Sequence, residues 1–425
     1  MPLKRRVKDK KRHKRLAGPV MVIDSPMGSG KTTYMLDYVK QHPEQQYLII
    51  TPYLTEVGRW DEAIPHLKQP SNVETTKTDS LESLLAEGAS IITTHSLFDR
   101  IGPAHLDHIS NHNYTLIIDE TITVIEPQPF HQADIEMAVD AGVISYTETK
   151  LSKRLKWEDA KRDVPALKAY KDRITKKEII CGPTGYFWCM NRWKLLLFRK
   201  VFVLTYMFEA SYMAAYVKMK FIDIPYEVKS LGSASNGTTL TDYHDPKGIK
   251  YRELIEIVDK GADANRIEKL KGIKLSKTGY DKITAAGYKK ITDATRGFFN
   301  KYKSEKKYYM FTTFIDYKDK VTHPNYNNKQ KNEGGEEFNE CFVQLNARAS
   351  NKYAHKKFLA YLVSRYPRPD VLTFLASHGS QLSKDGFALA ELLQWIFRSA
   401  IRNDQPIKLF IPDKRMRGLL KGWIL

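Results

Sequence analysis

The sequence predicts an α/β fold of doubly wound parallel sheets, arranged as two globular domains behind a short basic arm. The first observation is a series of short, β-rich apolar runs at Val20 to Ile23, Tyr47 to Ile50, Ser90 to Thr93, Thr115 to Ile118 and Val201 to Thr205. Crossover-sized segments separate them, which is the spacing of strand–helix–strand units whose strands are covered on both faces. The second is length: 425 residues with 42% hydrophobic content exceed one ordinary core and suffice for two. The third is the opening segment, residues 1–18, where Lys4, Arg5, Arg6, Lys8, Lys10, Lys11, Arg12, Lys14 and Arg15 face a single acid, Asp9. Self-repulsion at that density predicts a disordered arm.

Between the fourth and fifth runs, the charged segment from Asp140 to Lys177 is expected to form a helical excursion. From Lys229 to Lys307 the composition turns polar and is punctuated by glycine, as a linker feeding a second α/β domain would be. Apolar runs then resume at Tyr308 to Phe314, Cys341 to Leu345 and Ile407 to Ile411. Thr322 to Glu337 reads as an exposed loop. The expected domains are residues 19–228 and 229–425.

The sharpest local signal is Val20-Met-Val-Ile-Asp-Ser-Pro-Met-Gly-Ser-Gly-Lys-Thr-Thr33, followed by the helix-like Tyr34 to Lys40. A strand, a small-residue loop and a helix form the context of a phosphate-binding loop. Ser25, Gly28, Ser29 and Gly30 leave backbone N–H groups free to converge on a phosphate, and the following helix turns its positive end to the same point. Lys31 would reach the β- and γ-phosphates of ATP, Thr32 would supply a hydroxyl to Mg²⁺, and Thr33 completes the loop. Ser25 stands where the strict pattern has glycine. Hydrolysis also needs a carboxylate for the metal and a base for water. Tyr114-Thr-Leu-Ile-Ile-Asp-Glu-Thr121 ends an apolar strand on such a pair, with Asp119 for the metal and Glu120 for the water.

The order of motifs resembles the superfamily 2 DExx-box helicases, in particular the compact helicase-like ATPases of bacteriophages. Ser25 to Thr33 is similar to motif I, Thr51-Pro52-Tyr53 to motif Ia, Thr93-Thr94-His95-Ser96 to motif Ib, and Asp119-Glu120-Thr121 to motif II. Leu204 to Ser211 falls where motif III is expected. Leu345-Asn-Ala-Arg-Ala-Ser-Asn351 takes the place of motif V without its usual Gly-Asp ending, and Gln394-Trp-Ile-Phe-Arg-Ser-Ala-Ile-Arg402 resembles motif VI with its second arginine one position late. The resemblance implies two RecA-like domains and catalytic roles for Lys31, Glu120, Gln394, Arg398 and Arg402. It implies nucleic-acid contacts at Thr51, Pro52, Tyr53, Thr94, His95, Asn346 and Arg348. On one continuous helix Gln394, Arg398 and Arg402 would share a face.

The formal net charge of +19 fits a polyanionic partner, nucleic acid or an acidic membrane surface. The resemblance selects nucleic acid, DNA over RNA, with replication proteins as further partners and ATP and Mg²⁺ as cofactors. No run of about 18 apolar residues and no secretory signal is present, so a soluble cytoplasmic protein is expected, in the host cytoplasm if viral. Cys181, Cys189 and Cys341 suit neither a disulfide framework nor a zinc ribbon. His105, His108 and His112 read as an exposed helix face rather than a metal site. Two other functions share these features: a phage packaging-type ATPase, which would need an acidic nuclease set in the second half, and a non-enzymatic nucleic-acid-binding protein with a degenerate loop.

Overall fold

The structure, a computed structural model, describes residues 16–73, 75–234, 237–244, 248–327, 329–331, 337–345 and 351–425. Most of the expected basic arm, residues 1–15, therefore lies outside the described residues. Its end is held: Leu16 N–H donates to the Leu196 carbonyl (3.1 Å) and Ala17 N–H to that of Arg199 (2.9 Å). The chain divides into two compact units. The first runs to Ile23 and includes Thr32–Thr205 and Tyr216–Leu240; the second comprises Asp24–Lys31, Tyr206–Ala215 and Thr241–Leu425.

The strands of the first unit are β1 (Val20–Asp24), β2 (Tyr47–Thr51), β3 (Ile91–Thr94), β4 (Thr115–Asp119), β5 (Ile125–Gln128), β6 (Ile144–Glu148), β7 (Lys153–Trp157), β8 (Ile179–Gly182), β9 (Gly185–Cys189), β10 (Lys200–Thr205), β11 (Tyr226–Ala234) and β12 (Gly237–Asp242). A seven-stranded sheet has the order β12-β11-β1-β10-β4-β2-β3. All five residues of β2 are buried, as strands covered on both faces require. Parallel pairing sets Leu204 against Asp119, Ile50 against Ile118 and Thr51 against Thr94. One edge of the sheet thus gathers Asp119, Thr51, Thr94 and Thr205. Helix α1 (Lys31–Gln41) buries Met35, Leu36 and Val39 against Tyr47, Ile49, Ile92 and Ile117. The sheet draws β11 and β12 from residues past 228, where a linker was expected; alternating apolar and polar positions in this region hide them among polar residues.

The excursion between β4 and β10 is not helical, contrary to the expectation for Asp140 to Lys177. It is built on an antiparallel sheet of order β5-β9-β8-β7-β6, flanked by helices Gln132–Asp140 and Trp193–Leu196; within the segment expected to be helical there are a 3₁₀ turn at Pro165–Tyr170 and a short helix at Lys171–Thr175. In β7 the pattern Lys-Arg-Leu-Lys-Trp buries Leu155 and Trp157 and turns the charges outward, a period of two that the charge density obscured. A buried ion pair anchors this sheet. Lys194, 1% exposed, lies 3.7 Å from the Glu178 carboxylate and donates to the Asp99 carbonyl at 2.6 Å. Glu178 also accepts from Trp188 Nε1 at 2.9 Å. Burial pulls the Lys194 pKa below the ordinary lysine value against the attraction of Glu178.

The second unit holds β13 (Ile255–Ile257), β14 (Tyr309–Thr312), β15 (Lys329–Lys331), β16 (Glu337–Asn339), β17 (Phe358–Tyr361) and β18 (Ile407–Phe410). Four of these form an all-parallel sheet, β13-β18-β17-β14. Alternation sends Leu359, Tyr361 and Leu409 to one face, against Leu392, Trp395, Met416 and Leu420 of helices Lys384–Ile396 and Lys414–Ile424. Ala360 and Phe410 go to the other, against Ile291, Phe298 and Phe299 of helix Ala285–Tyr302. The expected strand at Cys341 to Leu345 is reduced to backbone bonds between Phe311 and residues 341 and 343. The expected loop Thr322 to Glu337 contains β15, which pairs with β16 in an antiparallel ribbon. No helix among the described residues is long and apolar enough to cross a membrane.

Truncating Lys194 leaves the Glu178 carboxylate buried without its cation. Lys194→Ala is therefore expected to cost about 3–5 kcal/mol of stability, read as a lowered denaturation midpoint with an unchanged m-value; a loss under 1 kcal/mol would mean that the pair does not anchor the sheet.

Candidate functional site

The loop after β1 has the backbone that its sequence requires. Gly28 (φ +79°) and Gly30 (φ +89°) occupy the left-handed region, where a side chain is strained, and Ser29 N–H donates to the Pro26 carbonyl at 3.2 Å. Nothing lies within 4 Å of a Cβ built on Gly30, so its backbone conformation and not crowding selects glycine there. The Lys31 ammonium folds back onto the loop, donating to the carbonyls of Ser25 and of Pro26 (2.9 Å). Those carbonyl oxygens stand in for the anionic oxygens that a loop lysine would meet. Thr32 and Thr33 occupy the first turn of α1, with Thr33 exposed. A glycine cradle, a lysine and a threonine hydroxyl fit a nucleotide phosphate and its Mg²⁺.

Asp24 was not singled out by the sequence reading, yet it organises this region. It is fully buried, and its carboxylate oxygens accept from the backbone N–H groups of Met207 (2.8 Å) and Phe208 (2.7 Å). Met207 is itself held at φ +56°. One side chain therefore fixes the entry to the glycine loop against the segment resembling motif III. The available signal was an acid ending an apolar strand just before the loop. Tyr206, next in the chain, accepts from Trp423 Nε1 at 2.7 Å in the second unit's core.

At the end of β4, Asp119 is half-buried and Glu120 adopts φ +64°, with its N–H donating to the Leu204 carbonyl at 2.9 Å. A non-glycine residue in that region carries strain of about 1–3 kcal/mol, which clusters at functional sites. On the same sheet edge, Thr51 is buried and its hydroxyl donates to the Tyr53 carbonyl (3.1 Å). Thr94 hydrogen-bonds Ser96 (3.1 Å), and His95 opens the short helix His95–Asp99. Pro52, Tyr53, Leu54, Thr94, Lys77 and Arg100 line a cavity of about 490 Å³ between the ends of β2 and β3. Tyr53 and Leu54 are exposed in it, at 40% and 65%.

The motif VI-like residues do not share one helix face as expected. The helix ends at Ile396, because the Ser399 hydroxyl takes the Ile396 carbonyl (2.6 Å) and Ala400 N–H turns to the Lys356 carbonyl (2.9 Å). Gln394 stays on the last helical turn, and Arg402 falls in a 3₁₀ turn, Ala400–Asn403. Arg398, only 4% exposed, donates to the carbonyls of Leu345 (3.2 Å) and Gln344 (3.5 Å). The Arg402 carbonyl lies 4.0 Å from a Cβ built on Gly28, which sets this turn beside the glycine loop. Asn346 and Arg348 lie outside the described residues. His105 is buried rather than exposed, its Nδ1 accepting from Gly102 N–H (3.4 Å) and its Nε2 facing the Thr78 carbonyl (3.2 Å). Among the described residues no group of three or more His, Cys, Asp or Glu side chains is placed to hold a metal.

Two units, each built on a sheet with parallel strands, define the class as an α/β protein. The chain belongs to the YonV family. It is 30% identical over 425 residues to the SPbeta prophage-derived uncharacterized protein YonV of Bacillus subtilis (strain 168), covering 95% of this chain and 98% of that one. Residues 249–424 match the YonV C-terminal Rossmann-like domain. Similar solved structures include an apo XPD, at 11% identity and a TM-score of 0.49 with 95% of each chain covered. Another is the Xpd4 of S. tokodaii, at 11% identity and 0.47, covering 95% of this chain and 94% of that one.

Asp24→Ala would leave two buried N–H donors without their acceptor. The expected loss is on the order of 3 kcal/mol in chemical denaturation, with Asp24→Asn, which keeps one acceptor oxygen, losing less; equal losses would remove the two-donor explanation.

Proposed function

We propose that this chain is a nucleic-acid-dependent ATPase acting as a helicase or translocase on DNA. The observation that carries the reading is the glycine loop at the end of β1, with Gly28 and Gly30 in conformations closed to other residues and Lys31 on its rim. In the proposed site Ser25, Gly28, Ser29 and Gly30 supply backbone donors to the phosphates, Lys31 neutralises charge on the transferred group, and Thr32 and Asp119 hold the metal. When bound, Mg²⁺ would supply positive charge to offset that of the phosphates. Glu120 orients the attacking water, its strained backbone fixing the direction of the carboxylate. Gln394 and Arg402 act from the motif VI-like segment, and the contact between the Arg402 backbone and Gly28 supports a role for this turn at the phosphates. Arg398, held by the Leu345 and Gln344 carbonyls, positions the segment leading into Asn346 and Arg348. The strand would cross the cavity at Pro52, Tyr53 and Thr94, where an exposed tyrosine beside Lys77 and Arg100 offers stacking and phosphate contacts. The prophage-derived name of its relative supports a phage setting, with the protein working in the host cytoplasm among replication proteins.

Hydrolysis should be measured for the wild type, Lys31→Ala and Glu120→Gln, each alone and with single-stranded DNA, duplex DNA or RNA. The expected result is turnover stimulated by DNA and abolished in both variants. Tight polymer binding without turnover under any condition would reject the enzyme reading.

Arg402→Ala is expected to leave nucleotide affinity within a few-fold of wild type while turnover drops roughly 10³-fold, the scale of an arginine acting on the transferred phosphoryl group. Unchanged turnover would remove Arg402 from the catalytic set.

A further inference from the structure

A cavity of about 750 Å³ in the second unit lies between helix Ala285–Tyr302 and the chain at Lys318–His323, and none of the motif residues discussed above lines it. Its volume is that of a small-molecule site. Lys289 and Arg296 line it from the helix, and Lys320 and His323 from the opposite wall, with Tyr288 between them. Lys320 stands over the Tyr288 ring, 5.2 Å from its centre. The carboxylate in the lining is Asp293, 3.4 Å from Lys289 Nζ and 3.7 Å from Arg296 Nη2. Three permanent cations against one carboxylate leave the cavity net positive.

Histidine 323 gives this charge a direction. Its Nδ1 accepts the Asn325 N–H at 3.1 Å, the cap of the 3₁₀ turn Pro324–Tyr326. The neutral ring therefore carries its hydrogen on Nε2. Burial first, and Arg296 second, hold its pKa below the ordinary histidine value, which favours the neutral ring. Yet Nε2 lies 3.3 Å from Arg296 Nη1, a group that only donates. Two N–H donors face each other across a hydrogen-bond distance. One oxygen that accepts from both would satisfy the pair, and the net positive lining favours an anionic one.

We infer that this cavity is a phosphate-binding site, in which Arg296 and His323 donate to one phosphate group while Lys289 and Lys320 balance its remaining charge. It is separate from the glycine loop and does not depend on the ATPase reading. The same chemistry suits a free phosphorylated small molecule or one phosphodiester of a nucleic-acid strand, and the two sources separate by experiment.

The test uses the full chain carrying Lys31→Ala, which removes the glycine-loop lysine, with ¹³C-labelled histidine. The His323 ring signal is assigned by its loss in His323→Gln and followed at fixed ionic strength. One arm adds inorganic phosphate; the other adds a single-stranded oligonucleotide without terminal phosphates. The expected result is a saturable shift of the His323 signal in at least one arm, with binding at least fivefold weaker in Arg296→Gln and in Lys320→Gln. A response to phosphate alone assigns a small phosphorylated ligand; a response to the oligonucleotide assigns a strand backbone. No saturable shift in either arm, or a shift unchanged by both substitutions, overturns the proposal.

Discussion

The buried carboxylate of Asp24 is the constraint on which the candidate site depends. A glycine loop is conformationally permissive, and permissiveness alone would leave its amides pointing in many directions. Asp24 removes that freedom at the loop's entry by accepting from both Met207 and Phe208 N–H. Charge-assisted bonds to two successive amides are short and directional, so the loop's start and the turn after β10 move as one piece. Met207 accepts a left-handed backbone to present its amide, a local cost offset by that bond. Tyr206 ties the same turn to Trp423 in the core built by helices Lys384–Ile396 and Lys414–Ile424.

The loop bonds its own lysine. The Lys31 ammonium rests on the Ser25 and Pro26 carbonyls, so an anion arriving at the amides competes for a cation already solvated by protein oxygens. Glu120 shows the opposite arrangement, with a backbone strained ahead of any ligand and pinned through its amide to the Leu204 carbonyl. A lysine bonded to loop carbonyls and a glutamate whose backbone is fixed suit different tasks: the one meets charge at the loop, the other sets a direction.

Much of this was legible in the sequence where residues had one structural use. Tyr47 to Ile50 and Thr115 to Ile118 are apolar at every position because both faces are covered, and such runs announce buried parallel strands. The glycine loop was legible because few residue types tolerate its backbone. The antiparallel excursion was not, since β7 buries Leu155 and Trp157 on one face while Arg154 and Lys156 take the other, and the density of lysine and arginine hid the alternation. The end of helix Lys384–Ile396 was equally hidden. It is set by Ser399 and by the bond from Ala400 N–H to Lys356, 44 residues earlier in sequence, and no local periodicity reports that partner. Asp24 was overlooked because its use lies in amides far along the chain.

The antiparallel sheet also bears on the cavity beside Tyr53. The Asp99 carbonyl accepts from buried Lys194, while its carboxylate pairs with Arg173 at 3.3 Å, and Arg173 reaches Glu126 of β5 and lies over the Trp188 ring of β9. Asp99 closes the short helix His95–Asp99 whose first residue follows Thr94 directly. That helix is a single turn, too short to hold its shape alone. Its orientation, and with it the wall that Ser96, Leu97 and Arg100 give the cavity, is therefore set by side chains of the antiparallel sheet and of the short helix Trp193–Leu196 that follows it. The excursion thus braces the surface at the ends of β2 and β3 through the buried Lys194–Glu178 pair and the partly exposed Arg173.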